Sequence, residues 1–383
     1  MAIPIPVPAS GQAGRILSES FVNLEATVPD PTGAPPGLIV AMPTTWANKY
    51  QLLLYRAAAG RRYAVVGART PGDLENIAWP GPVLLHAHWF ASIFQGARSR
   101  VEAEQRLATA QEQILRFRDR TGAKLLWTAH NVFPHGNVYP DLFMELRRWV
   151  FEEFDAIHVM EDSHVPLLEK AFSRPAPKSF VVPHMTYCGT ILDSVTPVAA
   201  RARFGLPEDA FVFGFFGSIQ EYKNIGYFLE QFDRLRQSTS RPVAALVGGI
   251  PTDTAVARQL DMRWSTDPDV RLLLRKVHDH EIQYLHRGAD VIVLPYQETL
   301  NSGAAFMAAT FRKPYLMPEG RVSDQLKNAG AMCFDADDPD GLLNAMTGCL
   351  DGTSSRFDAD VLGKFQPDVI SEAFFDAVDT LFE

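Results

Sequence analysis

Gly288-Ala-Asp-Val-Ile-Val-Leu-Pro-Tyr-Gln-Glu-Thr-Leu-Asn-Ser-Gly303 opens on an apolar run, breaks at a proline and a short polar loop, and passes directly into the small-residue stretch 304–311. An apolar run bounded by turn residues reads as a strand buried on both faces, the kind found in a parallel sheet between layers of helices. Asn301 or Ser302 can cap the helix that follows. Its first free N–H groups and the positive end of its dipole suit a phosphate. Taken alone, a capped helix and nothing more is the simpler reading, because strand-to-helix junctions of this kind are common.

The same rhythm extends outward in both directions. Further apolar runs at 211–216, 243–247, 270–274, 314–317 and 331–334 are separated by helical stretches. Upstream, runs at 38–42, 63–66, 83–89, 124–129 and 156–160 alternate with helical stretches at 49–60, 99–121 and 142–153. Between the two series, 183–197 contains prolines and has no pattern. These readings predict an α/β protein of two Rossmann-like doubly wound parallel-sheet domains facing a central cleft, where open α/β sheets bind ligands. The first domain is expected over 37–185 and the second over 201–362, joined by a linker at 186–200. Residues 1–36, rich in Pro, Gly and Ala, read as a loose N-terminal arm.

Bulk properties agree with two such domains. The chain has 383 residues, 46% of them hydrophobic, which exceeds what one core usually serves. It has no run of eighteen apolar residues, and its first fifteen lack the basic start and apolar stretch of a signal peptide, so a cytoplasmic location is expected. A net charge of −9 argues against a general nucleic-acid binder. Cys188, Cys333 and Cys349 have neither metal-ligand spacing nor an even count, and read as buried, reduced thiols.

Phe213-Gly-Phe-Phe-Gly-Ser218 followed by Ile219-Gln-Glu-Tyr-Lys-Asn224 ends a strand with a glycine turn and places a lysine within reach of a diphosphate. Backbone at Gly217 can approach phosphates closely, and Lys223 can neutralise charge on a leaving group. Several pieces then occur in order: this loop, Val247-Gly-Gly249, 275–282, and 288–303. In that order they resemble the donor-binding half of GT-B glycosyltransferases, particularly the large retaining, family 4-like group. The resemblance covers about 211–318 well, and the first domain more thinly through Asn48-Lys-Tyr-Gln-Leu-Leu-Leu-Tyr55, His86-Ala-His-Trp89 and Thr128-Ala-His-Asn131.

The resemblance implies that the second domain grips a nucleotide-diphosphate sugar, UDP- or GDP-linked, while the first presents a glycan, lipid-linked or small-molecule acceptor. It implies a metal-independent hexosyltransferase with no cofactor besides the donor, and suggests exopolysaccharide synthesis. Gly217, Ser218, Lys223, Val277, Asn301, Ser302 and Gly303 would hold the donor; His130, Glu298 and Lys223 would be catalytic. It also places the terminal segment 363–383 back on the first domain. The family's paired glutamates are degenerate here: aligned through Pro314, the second falls on Met307, and Glu298 lies one position before the place of the first. The ribose contact and the stereochemistry are left open.

Other patterns carry less. His130 closes a strand, where a backbone-bonded histidine is the alternative to a substrate contact. His86 and His88 share a strand face, but no third metal ligand is evident. The spaced acids of 335–338 read as a solvated turn, and Asp279, between His278 and His280, as a helix cap. Arginines along 99–121 read as a solvated face, with a weak peripheral membrane contact as the alternative. Two other functions fit the architecture: a nucleotide-sugar 2-epimerase, and a non-enzymatic two-domain binding protein. The oligomeric state is not legible.

Overall fold

The computed structural model describes residues 5–6, 13–45, 49–133, 138–320, 326, 329–353 and 357–383. It divides into two compact units, Met1–Met185 with Pro367–Glu383, and Thr186–Gln366. The first holds a parallel sheet of seven strands: β1 (Ile5–Pro6), β2 (Gly37–Met42), β3 (Tyr63–Gly67), β4 (Val83–Ala87), β5 (Lys124–Thr128), β6 (Ala156–Val159) and β7 (Lys178–Val181). Their order across the sheet is β1-β3-β2-β4-β5-β6-β7. The second holds β8 (Phe211–Phe216), β9 (Val243–Gly249), β10 (Val270–Leu274), β11 (Val291–Val293), β12 (Tyr315–Pro318) and β13 (Ala331–Phe334), ordered β10-β9-β8-β11-β12-β13. This is the expected doubly wound α/β class. In the second sheet the order reverses between β8 and β11, which sets the two richest motifs side by side.

The central strands are apolar throughout because helices cover both faces: every residue of β2, β3, β4 and β9 is buried. Helix ends follow local chemistry. Ser99 accepts a hydrogen bond from the Glu102 amide to start the helix Arg100–Thr121, and Gly122 closes it at φ 67°.

Several expectations need correction. The N-terminal stretch is not a loose arm over its described residues, for it contains the helix Ala13–Thr27. Leu17, Phe21 and Leu24 recur at helical spacing; the two leucines are buried and Phe21 packs edge-on against Trp79 at 5.4 Å. The stretch expected as a linker, 186–200, is fastened along the second unit. Thr186 donates its amide to Phe365, Tyr187 to Thr310 Oγ1 and Ser194 to Gln283, and Arg287 pairs with Asp193. These are side-chain and irregular backbone bonds, which leave no periodic trace. Cys349 is buried, but Cys333 on the outermost strand is exposed and Cys188 is half-buried. His278, not Asp279, occupies the cap position of the helix Asp279–Gly288, its amide donating to Glu281 at 3.1 Å.

The helix Pro367–Asp379 packs within the first unit. Ser371 accepts from the Ala57 amide and donates to Leu54, Asp379 accepts from Tyr63 Oη, and Phe374 is fully buried. The arginines of Arg100–Thr121 are taken up locally: Arg100 by Glu104, Arg106 by Glu102, Arg116 by Glu112, Arg118 by Glu153, and Arg120 by the carbonyls of Leu74 and Ile77. No helix among the described residues is long and apolar enough to cross a membrane.

Candidate active site

In the second unit the chain leaves β8 at Gly217, whose amide donates to Gly248 at 3.1 Å and whose φ is 155°. The turn lies directly on the end of β9. A Cβ on Gly249 would meet the Gly217 carbonyl oxygen at 1.5 Å, so only glycine fits there. The chain then folds back through a single 3-10 turn, Glu221–Lys223, which ends at Asn224 in the left-handed region, φ 54°. That reversal carries the Lys223 ammonium back over the glycine turn, 2.9 Å from where a Cβ on Gly217 would stand.

Lys223 is only 8% exposed and makes no ion pair with any described carboxylate. Its charge is met by ring faces: Tyr296 at 5.4 Å, Tyr222 at 5.8 Å and Phe215 at 5.9 Å. Burial lowers its pKa to about 8. A buried cation without an anion is costly unless something else brings the negative charge.

The loop after β11 meets this lysine. The Gln297 amide donates to the Tyr222 carbonyl at 2.9 Å, tying the loops together, and Tyr296 lies over the ammonium. Asn301 accepts from the Ser302 amide through its side chain, and Ser302 Oγ accepts from the Ala305 amide, capping the helix Gly303–Thr310. Capping leaves the Gly303 and Ala304 amides as the open donors of that end. Ser218 is half-buried and accepts from Gln220 at 3.2 Å. Glu298 is exposed on the same loop. Val277, half-buried, follows β10, two strands from β8, or about 10 Å by ordinary strand spacing. The loops that carry the expected donor residues of 217–223 and 301–303 are thus tied together at Tyr222 and Gln297, while Val277 stands at one side.

Sequence reasoning missed Tyr296 as the wall of the lysine pocket. Its place directly after Pro295 was the available signal. It also missed the ion pair that holds the Val277 turn, where Arg275 grips Glu281 through two bonds of 2.8 Å and, with the His278 amide and Arg203, holds that carboxyl far below the ordinary range.

In the first unit His86, His88, His130, His158 and His184 gather at the carboxyl ends of β4 to β7, with Tyr55 and Thr128 among them. Trp89 stacks on His130 at 4.2 Å, and Phe374 stacks on His86 at 5.1 Å. His130 is half-buried and the other four are buried. Burial, then neighbouring histidines, hold His86, His88 and His130 well below the usual imidazole pKa; burial lowers His158 and His184 to about 4. Arg147, stacked 4.3 Å over Trp127 with its Nε and one terminal nitrogen unpartnered among the described residues, adds positive potential near His130. Among the described residues no group of three or more His, Cys, Asp or Glu is placed to hold a metal. Asn48 of the first-unit motif lies outside the described residues.

Comparison with known proteins places these observations. Residues 210–351 match the family model described as Glycosyl transferases group 1. No curated protein matches the chain. Among solved structures, sucrose-phosphate synthase from Thermosynechococcus elongatus aligns with a TM-score of 0.66 at 13% identity, covering 91% of this chain and 99% of that one. Anabaena HepE in complex with UDP-glucose aligns with a TM-score of 0.65 at 13% identity, covering 90% and 99%. A UDP-forming α,α-trehalose-phosphate synthase from Burkholderia xenovorans, in complex with glucose-6-phosphate, gives 0.65 at 11% identity, covering 89% and 100%. The fold is that of GT-B glycosyltransferases, and the match to the group 1 model lies within the unit that holds Lys223.

Proposed function

We propose that this chain, with its GT-B fold and group 1 second unit, transfers a hexosyl group from a UDP- or GDP-linked sugar to a glycan, lipid-linked or small-molecule acceptor. Exopolysaccharide synthesis is the setting we favour. The observation that carries the reading is the buried Lys223 ammonium, which has no carboxylate partner among the described residues and faces a glycine turn tied to the loop that leads into a helix N-terminus. That arrangement is complete only with an anion present.

A diphosphate bridging the Gly217 turn and the Gly303 end receives the Lys223 charge and the Gly303 and Ala304 amides. As the bond from the sugar to the diphosphate breaks, negative charge grows on the departing oxygen, and those groups stabilise it. Glu298 meets hydroxyls of the donor sugar, Ser218 lines the turn, and the backbone at Val277 meets the base. Positive charge at the diphosphate comes from the chain, so the reaction needs neither a metal nor a cofactor besides the donor.

Hydrogen exchange tests the donor site. UDP or GDP is expected to protect amides over 217–224 and 301–306 and to leave the His130 loop unchanged; protection appearing first around His130 would reverse the assignment of the two units. Transfer assayed with EDTA is expected to persist. Loss that magnesium or manganese restores would show that Lys223 does not replace a metal.

A further inference from the structure

Partner chemistry assigns the polar hydrogens along the line from the Val182 carbonyl to His130. The Val182 carbonyl can only accept, so His158 Nε2, at 2.9 Å, donates to it. With that ring neutral, His158 Nδ1 is an acceptor, and the Thr128 hydroxyl at 3.0 Å donates to it. Thr128 Oγ1 has then used its one proton and accepts from His86 Nε2 at 2.6 Å. His86 Nδ1 therefore accepts from Tyr55 Oη at 2.7 Å, and Tyr55 Oη accepts from His88 Nε2 at 2.8 Å. His88 Nδ1 is left as an acceptor, and His130 Nε2 donates to it at 3.1 Å. Only His130 Nδ1 remains, with no partner among the described residues, on a ring that is half-buried.

We propose that His158, Thr128, His86, Tyr55 and His88 are positioning residues. Together they fix His130 as the Nε2–H tautomer and present its Nδ1 solely as a hydrogen-bond acceptor for a substrate hydroxyl. Choosing a sugar hydroxyl as that donor rests on the proposed transfer reaction; the tautomer does not.

The relay also limits the chemistry at His130. A proton placed on Nδ1 could be passed inward only by shifting every hydrogen along the chain, which leaves the charge on buried His158 against a carbonyl that cannot take it. Burial first, and then neighbouring His88, His158, His184 and Arg147, oppose positive charge at His130. The ring therefore orients a hydroxyl and does not act as a net proton sink. At Nδ1 it disfavours an ionised carboxylate or a phosphodiester, since neither has a proton to offer.

The tautomer assignment is tested without substrate. In the full chain labelled with 15N-histidine, long-range proton–nitrogen spectra at pH 7.5 are expected to show His130, His88, His86 and His158 protonated at Nε2 and bare at Nδ1. His130→Gln assigns the critical signals. A His130 ring protonated at Nδ1, or an even mixture of tautomers, overturns the proposal. Tyr55→Phe removes the link between His86 and His88, and should drive His88 and His130 into mixed tautomers while His158 is unchanged. Thr128→Val should disturb the same rings, and Thr128→Ser should restore the wild-type pattern. If Tyr55→Phe fails to fold, the threonine pair gives the same reading. An unchanged His130 in folded Tyr55→Phe or Thr128→Val would show that the relay does not govern it. Turnover of a sugar nucleotide is expected to fall about tenfold in Thr128→Val and to recover in Thr128→Ser, as for one lost hydrogen bond. A chain with the expected tautomers but no transfer activity would overturn the enzymatic reading and leave the tautomer assignment standing.

Discussion

Lys223→Met is expected to lower turnover about a hundredfold while making the folded protein more stable. The two effects have one cause. The ammonium is buried against aromatic faces and the glycine turn, with no carboxylate partner among the described residues, and its pKa is lowered from 10.5 to about 8 by desolvation. A depression of that size corresponds to roughly 3 kcal/mol against the charged form at neutral pH, so an apolar side chain of similar length should stabilise by about 2 kcal/mol. In catalysis the same charge stabilises a departing diphosphate in a site shielded from water, where such a contact lowers the barrier by about 3 kcal/mol.

Denaturant unfolding and steady-state turnover on one variant measure both. The pH dependence supplies an internal check. Because the folded pKa is depressed, the unfolded chain holds more protons than the folded one between pH 8 and 10.5, and wild-type stability rises with pH across that window. In Lys223→Met this rise should be missing. A folded variant with unchanged turnover would remove the lysine from the mechanism, and a destabilised one would mean that the ammonium has a partner in the fold.

Acid is expected to unfold the first unit near pH 5 in a steep transition, while the second unit keeps its structure. Five histidines in the first unit are held neutral by burial, each with a pKa below the ordinary 6.5. The unfolded chain therefore binds protons that the folded one refuses. Stability is full above pH 6.5 and falls as pH drops toward the folded values of about 4 for His158 and His184. At about 1.4 kcal/mol per pH unit for each ring, five together remove roughly 7 kcal/mol per unit, comparable to the whole stability of a typical domain.

In the second unit, His286 is the one described histidine with the same depression. Tryptophan fluorescence separates the two, since Trp79, Trp89, Trp127 and Trp149 lie in the first unit and Trp264 in the second. The titration should show uptake of four to five protons. A transition governed by a single proton, or one that takes both units together, would contradict the account.

Much of this protein follows from local sequence. Continuous apolar runs between helical stretches specify parallel strands, and Phe211–Phe216, Val270–Leu274 and Ala331–Phe334 are strands over the very residues that the apolar pattern marks. Ser302 as a helix cap and Lys223 beyond a glycine turn were legible for the same reason, since caps and turns are made by neighbours a few residues apart. The helix Ala13–Thr27 was obscured by the proline- and glycine-rich residues around it, although Leu17, Phe21 and Leu24 keep its period.

What depended on tertiary structure is whatever joins residues far apart in the chain. That the loops at 217–223 and 295–303 touch follows from the reversal of strand order between β8 and β11, which no local pattern encodes. That Lys223 lacks a carboxylate among the described residues and lies beneath Tyr296 is a statement about burial, and burial is set by packing between elements. The histidines were visible as residues, and His86 and His88 as occupants of one strand face. Their protonation pattern was not, because it runs through β4, β5, β6, Tyr55 and the Val182 carbonyl, and a hydrogen-bond chain has a direction only when all its members are in place.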